Sequence, residues 1–116
     1  MSTRTVLIKR GALYPKVDAR LKNSDGTAID LTTADGVTFS MRRLVDGEPG
    51  DVILQDEACT VVTAASGIVE YAWQTGETDI AGAHIGEFTI TWSPGVTEIV
   101  PTKGYLNVRI LTTVVD

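Results

Sequence analysis

Ser66–Trp92, SGIVEYAWQTGETDIAGAHIGEFTITW, holds two alternating runs, each ending in a tryptophan, with a polar, glycine-containing loop between them. In the first run Val69, Tyr71 and Trp73 alternate with Ile68, Glu70 and Ala72. In the second, His84 to Trp92, Gly86, Phe88, Ile90 and Trp92 alternate with Ile85, Glu87, Thr89 and Thr91. A period of two places successive side chains on opposite faces of a strand. Both runs therefore read as strands with one buried and one wet face, the pattern of antiparallel sheets packed on each other.

The same grammar extends outward in both directions. Thr5 to Lys9 reads as a first strand or an arm, and Pro15 to Leu21 as a strand with Val17, Ala19 and Leu21 on one face. Val37 to Arg43 turns Val37, Phe39 and Met41 one way and Thr38, Ser40 and Arg42 the other. Asp51 to Gln55 reads as a short edge strand, and Ala58 to Val62 as a β-branched strand around Cys59. Thr97 to Val100 and Tyr105 to Leu111 close the series, with Leu106, Val108 and Ile110 on one face of the last. Turn signals stand between them at Asp25-Gly26, Asp35-Gly36, Asp46-Gly47, Pro49-Gly50, Ser66-Gly67, Pro94-Gly95 and Lys103-Gly104. Glycine accepts positive φ, and Asp, Ser or Pro organises the adjoining backbone. Short strands with turns at this spacing predict a sandwich or barrel. No segment shows a helical period; Glu77 to Ala83 has room for one helical turn.

The 116 residues fit one domain, large enough for a core without disulfides or metal. Residues 1–13 are expected to form an arm or first strand, the loosest part of the chain, and residues 14–116 the sandwich. A hydrophobic content of 43% and a charged content of 22% are ordinary for a globular protein. The net charge of −5 repels phosphate backbones and anionic membranes, so neither nucleic acid nor membrane is an expected partner. The single cysteine forbids an intrachain disulfide and fits a reducing cytoplasm. The opening MSTRTVLIKRG lacks the apolar core of a signal peptide.

Chemistry is sparse. His84 is the only histidine, and acid–base or metal work needs a partner at defined spacing. Cys59 has neither a CxxC companion nor a neighbouring base to lower its pKa. The acidic residues Asp25, Asp30, Asp35, Asp46, Asp51, Asp56, Glu77 and Asp79 are scattered at turns, without the D-x-D-x-D-G calcium pattern. No Walker loop, GxGxxG or GxSxG occurs. No catalytic residue, metal ligand or cofactor site is therefore assigned. The aromatics Tyr71, Trp73, Phe88, Trp92 and Tyr105 read as core, with Trp92 beside Ser93-Pro94-Gly95 the best partly exposed contact. Exposed Trp92 or Tyr105 would instead suit stacking on a sugar, which keeps a carbohydrate-binding or adhesion module as the alternative function.

In order and spacing, five segments resemble the immunoglobulin-like N-terminal domain of the phage baseplate upper protein. They are Asn23 to Thr32, similar to a DGxxIDLT hairpin; Val37 to Arg42; Gly67 to Trp73, similar to GxVxYxW; Thr78 to His84 with Glu87-Phe88, similar to TDxAGxYxxEF; and Gly104 to Ile110. With the strand that precedes Asn23, the resemblance covers roughly residues 14–111. The resemblance implies an immunoglobulin-like antiparallel β-sandwich of about seven to nine short strands. It also implies a non-enzymatic structural part of a tailed phage or prophage virion, made in the host cytoplasm, whose partners are other virion proteins in a symmetric multimer. The family domain heads a longer chain, whereas this one stops at Asp116. The expectation is thus a stand-alone tail-tip or baseplate adaptor, or a decoration protein on the head. Contact residues are expected on the arm (Arg4, Val6, Ile8), on the hairpin (Arg42, Arg43, Glu48), at Trp92, or along an open sheet edge. Within the matching segments, Asp79 is expected to hold its loop, and Leu31 to plug a crossing between sheets.

Overall fold

A computed structural model describes residues 5–93, 95–101 and 105–115. Its strands are β1 (Thr5–Lys9), β2 (Val17–Arg20), β3 (Ala34–Val45), β4 (Glu48–Ala58), β5 (Thr60–Thr63), β6 (Ile68–Tyr71), β7 (Gly82–Trp92), β8 (Val96–Val100) and β9 (Leu106–Leu111). Helical geometry among the described residues is confined to a 3-10 turn at Ala64–Ser66. The segment around Glu77 to Ala83 forms turns and then enters β7 at Gly82, so no helical turn develops there.

The strands build an all-β sandwich. A six-stranded sheet runs in the order β1-β9-β7-β3-β4, with β8 also paired to β7, and a three-stranded sheet runs β2-β6-β5. β8 and β9 share one side of β7: β9 lies along Gly82–Gly86 and β8 along Phe88–Trp92. The chain changes sheet at Cys59, between β4 and β5, where the Cys59 amide donates to the Val37 carbonyl at 2.9 Å.

Alternation selects the core as read from the sequence. Val37, Phe39 and Met41 of β3, Phe88 and Ile90 of β7, and Leu106, Val108 and Ile110 of β9 face Val17 of β2 and Val69 and Tyr71 of β6, with Trp73 just beyond. Phe39, fully buried, lies 4.9 Å from Phe88, 5.3 Å from Tyr71 and 6.2 Å from Trp73 between ring centroids, so one side chain joins the two sheets. Gly86 makes room for it. A Cβ at position 86 would stand 2.8 Å from the Phe39 ring, inside van der Waals contact.

Of the two readings of Thr5 to Lys9, a first strand or an arm, the strand is the one that forms. Residues 5–9 are not a loose arm: β1 pairs with β9 from Thr5↔Asn107 to Lys9↔Leu111, and this pair is parallel within an otherwise antiparallel architecture. Two expected turns also dissolve into strands. Asp35-Gly36 lies inside β3, where Asp35 is the extra residue of a bulge between Ala34↔Trp92 and Gly36↔Thr91. Pro49-Gly50 lies inside β4, an edge strand, where proline costs no central ladder bond. The short strand expected at Asp51 to Gln55 is in fact 11 residues long. The hairpin turn is Asp46-Gly47, with φ of 51° and 80°, the positive pair that a two-residue turn between twisted strands requires. Lys103-Gly104 and Pro94 fall outside the described residues.

The loop between β6 and β7 is pinned from within and from the β1–β2 segment. The Tyr71 hydroxyl donates to Glu77 Oε1 at 2.7 Å, and the Gln74 amide donates to the same oxygen at 2.8 Å. Trp73 Nε1 donates to the Pro15 carbonyl at 3.1 Å, and Thr78 Oγ1 donates to the Ala12 carbonyl at 2.8 Å. Glu77 and Thr78 thus do the work expected of Asp79. Leu31 is buried, as its placement between polar neighbours implied, and its amide donates to the Ala64 carbonyl.

Gly86→Ala is expected to destabilise the fold by roughly 1–3 kcal/mol through overpacking against Phe39. In urea denaturation, Phe39→Leu combined with Gly86→Ala should lose less than the sum of the single losses, because the smaller side chain vacates the contested space. Simple additivity would show that the close approach is not what Gly86 serves.

Candidate functional site

The lone histidine and the lone cysteine are both withdrawn from solvent, His84 fully and Cys59 in part. His84 lies on the inward face of β7, opposite Arg43 of β3 and Val108 of β9, and is 2% exposed. Its Nδ1 lies 3.1 Å from the Gly82 carbonyl, which assigns the proton to Nδ1, and its Nε2 is buried without a hydrogen-bond partner. Burial pushes its pKa below 6.5; the Gly82 carbonyl opposes the shift and Arg43 adds to it. The ring is held neutral, and among the described residues no carboxylate or hydroxyl is hydrogen-bonded to it. Cys59, half-buried at the sheet crossing, has its thiol pushed up to about 12 by burial, so it stays protonated at neutral pH.

Two of the carboxylates are engaged in turns. Asp25 Oδ1 accepts from the Thr27 amide at 3.0 Å and the Thr27 hydroxyl at 2.7 Å. Asp30 Oδ1 accepts from the amide and hydroxyl of Thr32 in the same way. These Asp-x-Thr turns hold both carboxyls below the usual range, chiefly through the hydroxyl bonds. They fix the local backbone at Asp25–Thr27 and Asp30–Thr32. Among the described residues no three His, Cys, Asp or Glu side chains gather as a metal site.

The expected contact residues do not come together. Arg4 lies outside the described residues. Val6 and Ile8 are a correction: they are 6% and 2% exposed and belong to the core, because β1 is a sheet strand whose outward residues are Thr5, Leu7 and Lys9. Arg43 is half-buried beside His84, and Glu48 is exposed next to the hairpin turn. Trp92 is half-buried, its Nε1 donating to Glu98 Oε1 at 3.1 Å. It stands seven residues along β7 from Ile85, the partner of Arg42, or about 23 Å at strand rise. Tyr105 is 46% exposed, but ring–ring contacts among the described residues all belong to the Phe39 cluster, so Trp92 and Tyr105 form no joint platform.

The longest edge strand, β4, is irregular. Between Thr38↔Ala58 and Val45↔Glu48 the β3–β4 register shifts three times, each shift placing an extra residue in β4. One bulge holds Asp56 at φ 52°, with its amide donating to Ser40 Oγ at 2.9 Å. An edge bent this way lacks the regular row of donors and acceptors that strand addition uses.

What the six-stranded sheet does present is its outer face. Arg42 of β3 pairs with Val52 of β4 and with Ile85 of β7, and Ile85 pairs with Asn107 of β9. The adjoining rows carry Ser40 with Glu87, and Thr38 with Thr89 and Ile99. A shallow groove of about 320 Å³ crosses this face, lined by Arg42, Val52, Ile85, Glu87, Ile99 and Tyr105 among others. Arg42 is an expected contact and Tyr105 an expected stacking candidate; Val52, Ile85 and Ile99 are not anticipated by the sequence. The available signal was Ile85, an isoleucine in the outward register of a central strand whose other outward residues are Glu87, Thr89 and Thr91.

Compared with protein-family models, curated proteins and solved structures, the chain matches none of them.

Two outcomes follow from the buried groups. His84 takes up its proton more readily in the unfolded chain, so stability is fullest above about pH 6.5 and falls as pH drops through the lowered folded pKa. Urea midpoints between about pH 8 and 5 should decline, and His84→Gln should flatten that decline. Native Cys59 should resist iodoacetamide at pH 7.5 and react once urea unfolds the domain; rapid native labelling would contradict the raised pKa.

Proposed function

We propose that this chain is a structural component of a tailed phage or prophage particle, acting through protein–protein contacts in the tail tip or baseplate or on the head. The observation that carries the reading is the outer face of the six-stranded sheet. It is a groove of mixed apolar and charged residues that no described residue covers, whereas His84 and Cys59 are packed away. Rigid sheets with one open, partly apolar face suit assembly.

The strand order supports the immunoglobulin-like part of the reading. β1-β9-β7-β3-β4 facing β2-β6-β5 corresponds to a sheet of an early strand with G, F, C and C′ opposite B, E and D, the partition of an immunoglobulin-type sandwich. The described segments that resemble the baseplate domain occupy coherent places in this frame. The Asp25 to Thr32 stretch is the link into β3, Ile68 to Trp73 contains β6, and Gly82 to Phe88 opens β7. The carbohydrate-binding alternative rests on Tyr105 alone, since Trp92 is half-buried and bonded to Glu98.

The test is association with particles. Virions from producing cells are purified on a density gradient and probed for this chain by mass spectrometry. Recovery at fixed stoichiometry in the particle band is the expected result. Its absence from particles made by cells that express it would overturn the reading.

A further inference from the structure

Ile85 points away from the core yet is 7% exposed, and the apolar side chains around it stand open: Val52 is 52%, Ile99 50% and Tyr105 46% exposed. A sheet face meant for water carries polar residues in these positions. Charges of both signs frame the patch. Arg42 is anchored by its Nε donating to the Gly50 carbonyl at 2.8 Å, with its remaining guanidinium N–H groups left over. Glu87 lies in the next row, and Asp56 in the bulge beside Ser40. Among the described residues none of these three charges is ion-paired within the chain.

The arrangement is self-complementary. Arg42 and Glu87 sit in successive outward rows of the same sheet, offset by two residues, roughly 7 Å along the strands. A two-fold axis between the rows places Arg42 of each copy against Glu87 and Asp56 of the other and brings the two apolar patches together. A two-fold interface demands this of one surface: every charge must find its complement on the same patch. The face of a molecule measuring 45 × 25 × 24 Å has room for the roughly 800 Å² per partner of a stable complex. We infer that the outer face of the six-stranded sheet docks against the same face of a second copy of this chain. The inference rests on the reading of the domain as an assembly part and names its partner. The two fail separately: a monomer found in particles overturns only the self-association, and a dimer absent from particles overturns only the particle assignment.

Sedimentation velocity from about 1 µM to 1 mM tests it. The wild-type chain should dimerise reversibly. Arg42→Glu and Glu87→Arg should each weaken the dimer by at least about tenfold, since each sets like charges across the two-fold. An equimolar mixture of the two variants should associate again, because every 42–87 contact across that mixed pair joins opposite signs. Melting curves verify that both variants fold, and Tyr105→Ala, which removes apolar contact and no charge, should weaken the dimer independently. A wild-type chain that stays monomeric throughout, or a mixture no tighter than the separate variants, overturns the inference.

Discussion

Phe39 over Gly86 is the contact on which the sandwich turns. The ring belongs to the six-stranded sheet, yet it packs against Tyr71 and Trp73 beside the three-stranded one, and it fits only because β7 has no side chain at position 86. The four aromatic rings then fix the spacing between sheets, and their polar atoms lead outward to the loops. Tyr71 reaches Glu77, and Trp73 reaches Pro15. Burial, reinforced by the Glu77 carboxylate, drives the Tyr71 phenol well above its ordinary range, so it remains a donor. The loop before β7 is thereby held by the same cluster that holds the core.

Much of this was legible because period-two alternation is a strong signal when one face is buried. Val37-Phe39-Met41, Val69-Tyr71-Trp73 and Leu106-Val108-Ile110 declare their inward faces in the sequence, and the structure buries all nine. Local turn chemistry was less decisive. Asp46-Gly47 is a hairpin because strands of matching register flank it, whereas Asp35-Gly36 and Pro49-Gly50 sit where partner strands continue and are absorbed as irregularities. An Asp-Gly pair permits a turn; it does not compel one while a ladder on either side can be extended. The parallel β1–β9 pairing was illegible for another reason, since nothing local in Thr5–Lys9 encodes a partner about a hundred residues away.

The outer face of the six-stranded sheet shows the same division. Hydrophobic residues near the start of the chain looked available because an arm was expected; docking β1 onto β9 turned Val6 and Ile8 into core. Conversely, Ile85 looked like one more strand residue until the sheet placed Val52, Ile99 and Tyr105 around it from three other segments. A surface assembled from distant segments has no sequence signature beyond the single residue that violates its own strand's polarity.

The parallel pairing of β1 with β9 also has a mechanical meaning. The chain enters the sheet at Thr5 and leaves it at Leu111, on neighbouring strands running in the same direction. Tension drawn between those two points pulls the strands past each other lengthwise, so the hydrogen bonds of the ladder bear the load together instead of opening one by one. Resistance to pulling is set by the unfolding rate and not by equilibrium stability. A domain stitched this way is suited to hold its shape under a pull applied between its first and last strands.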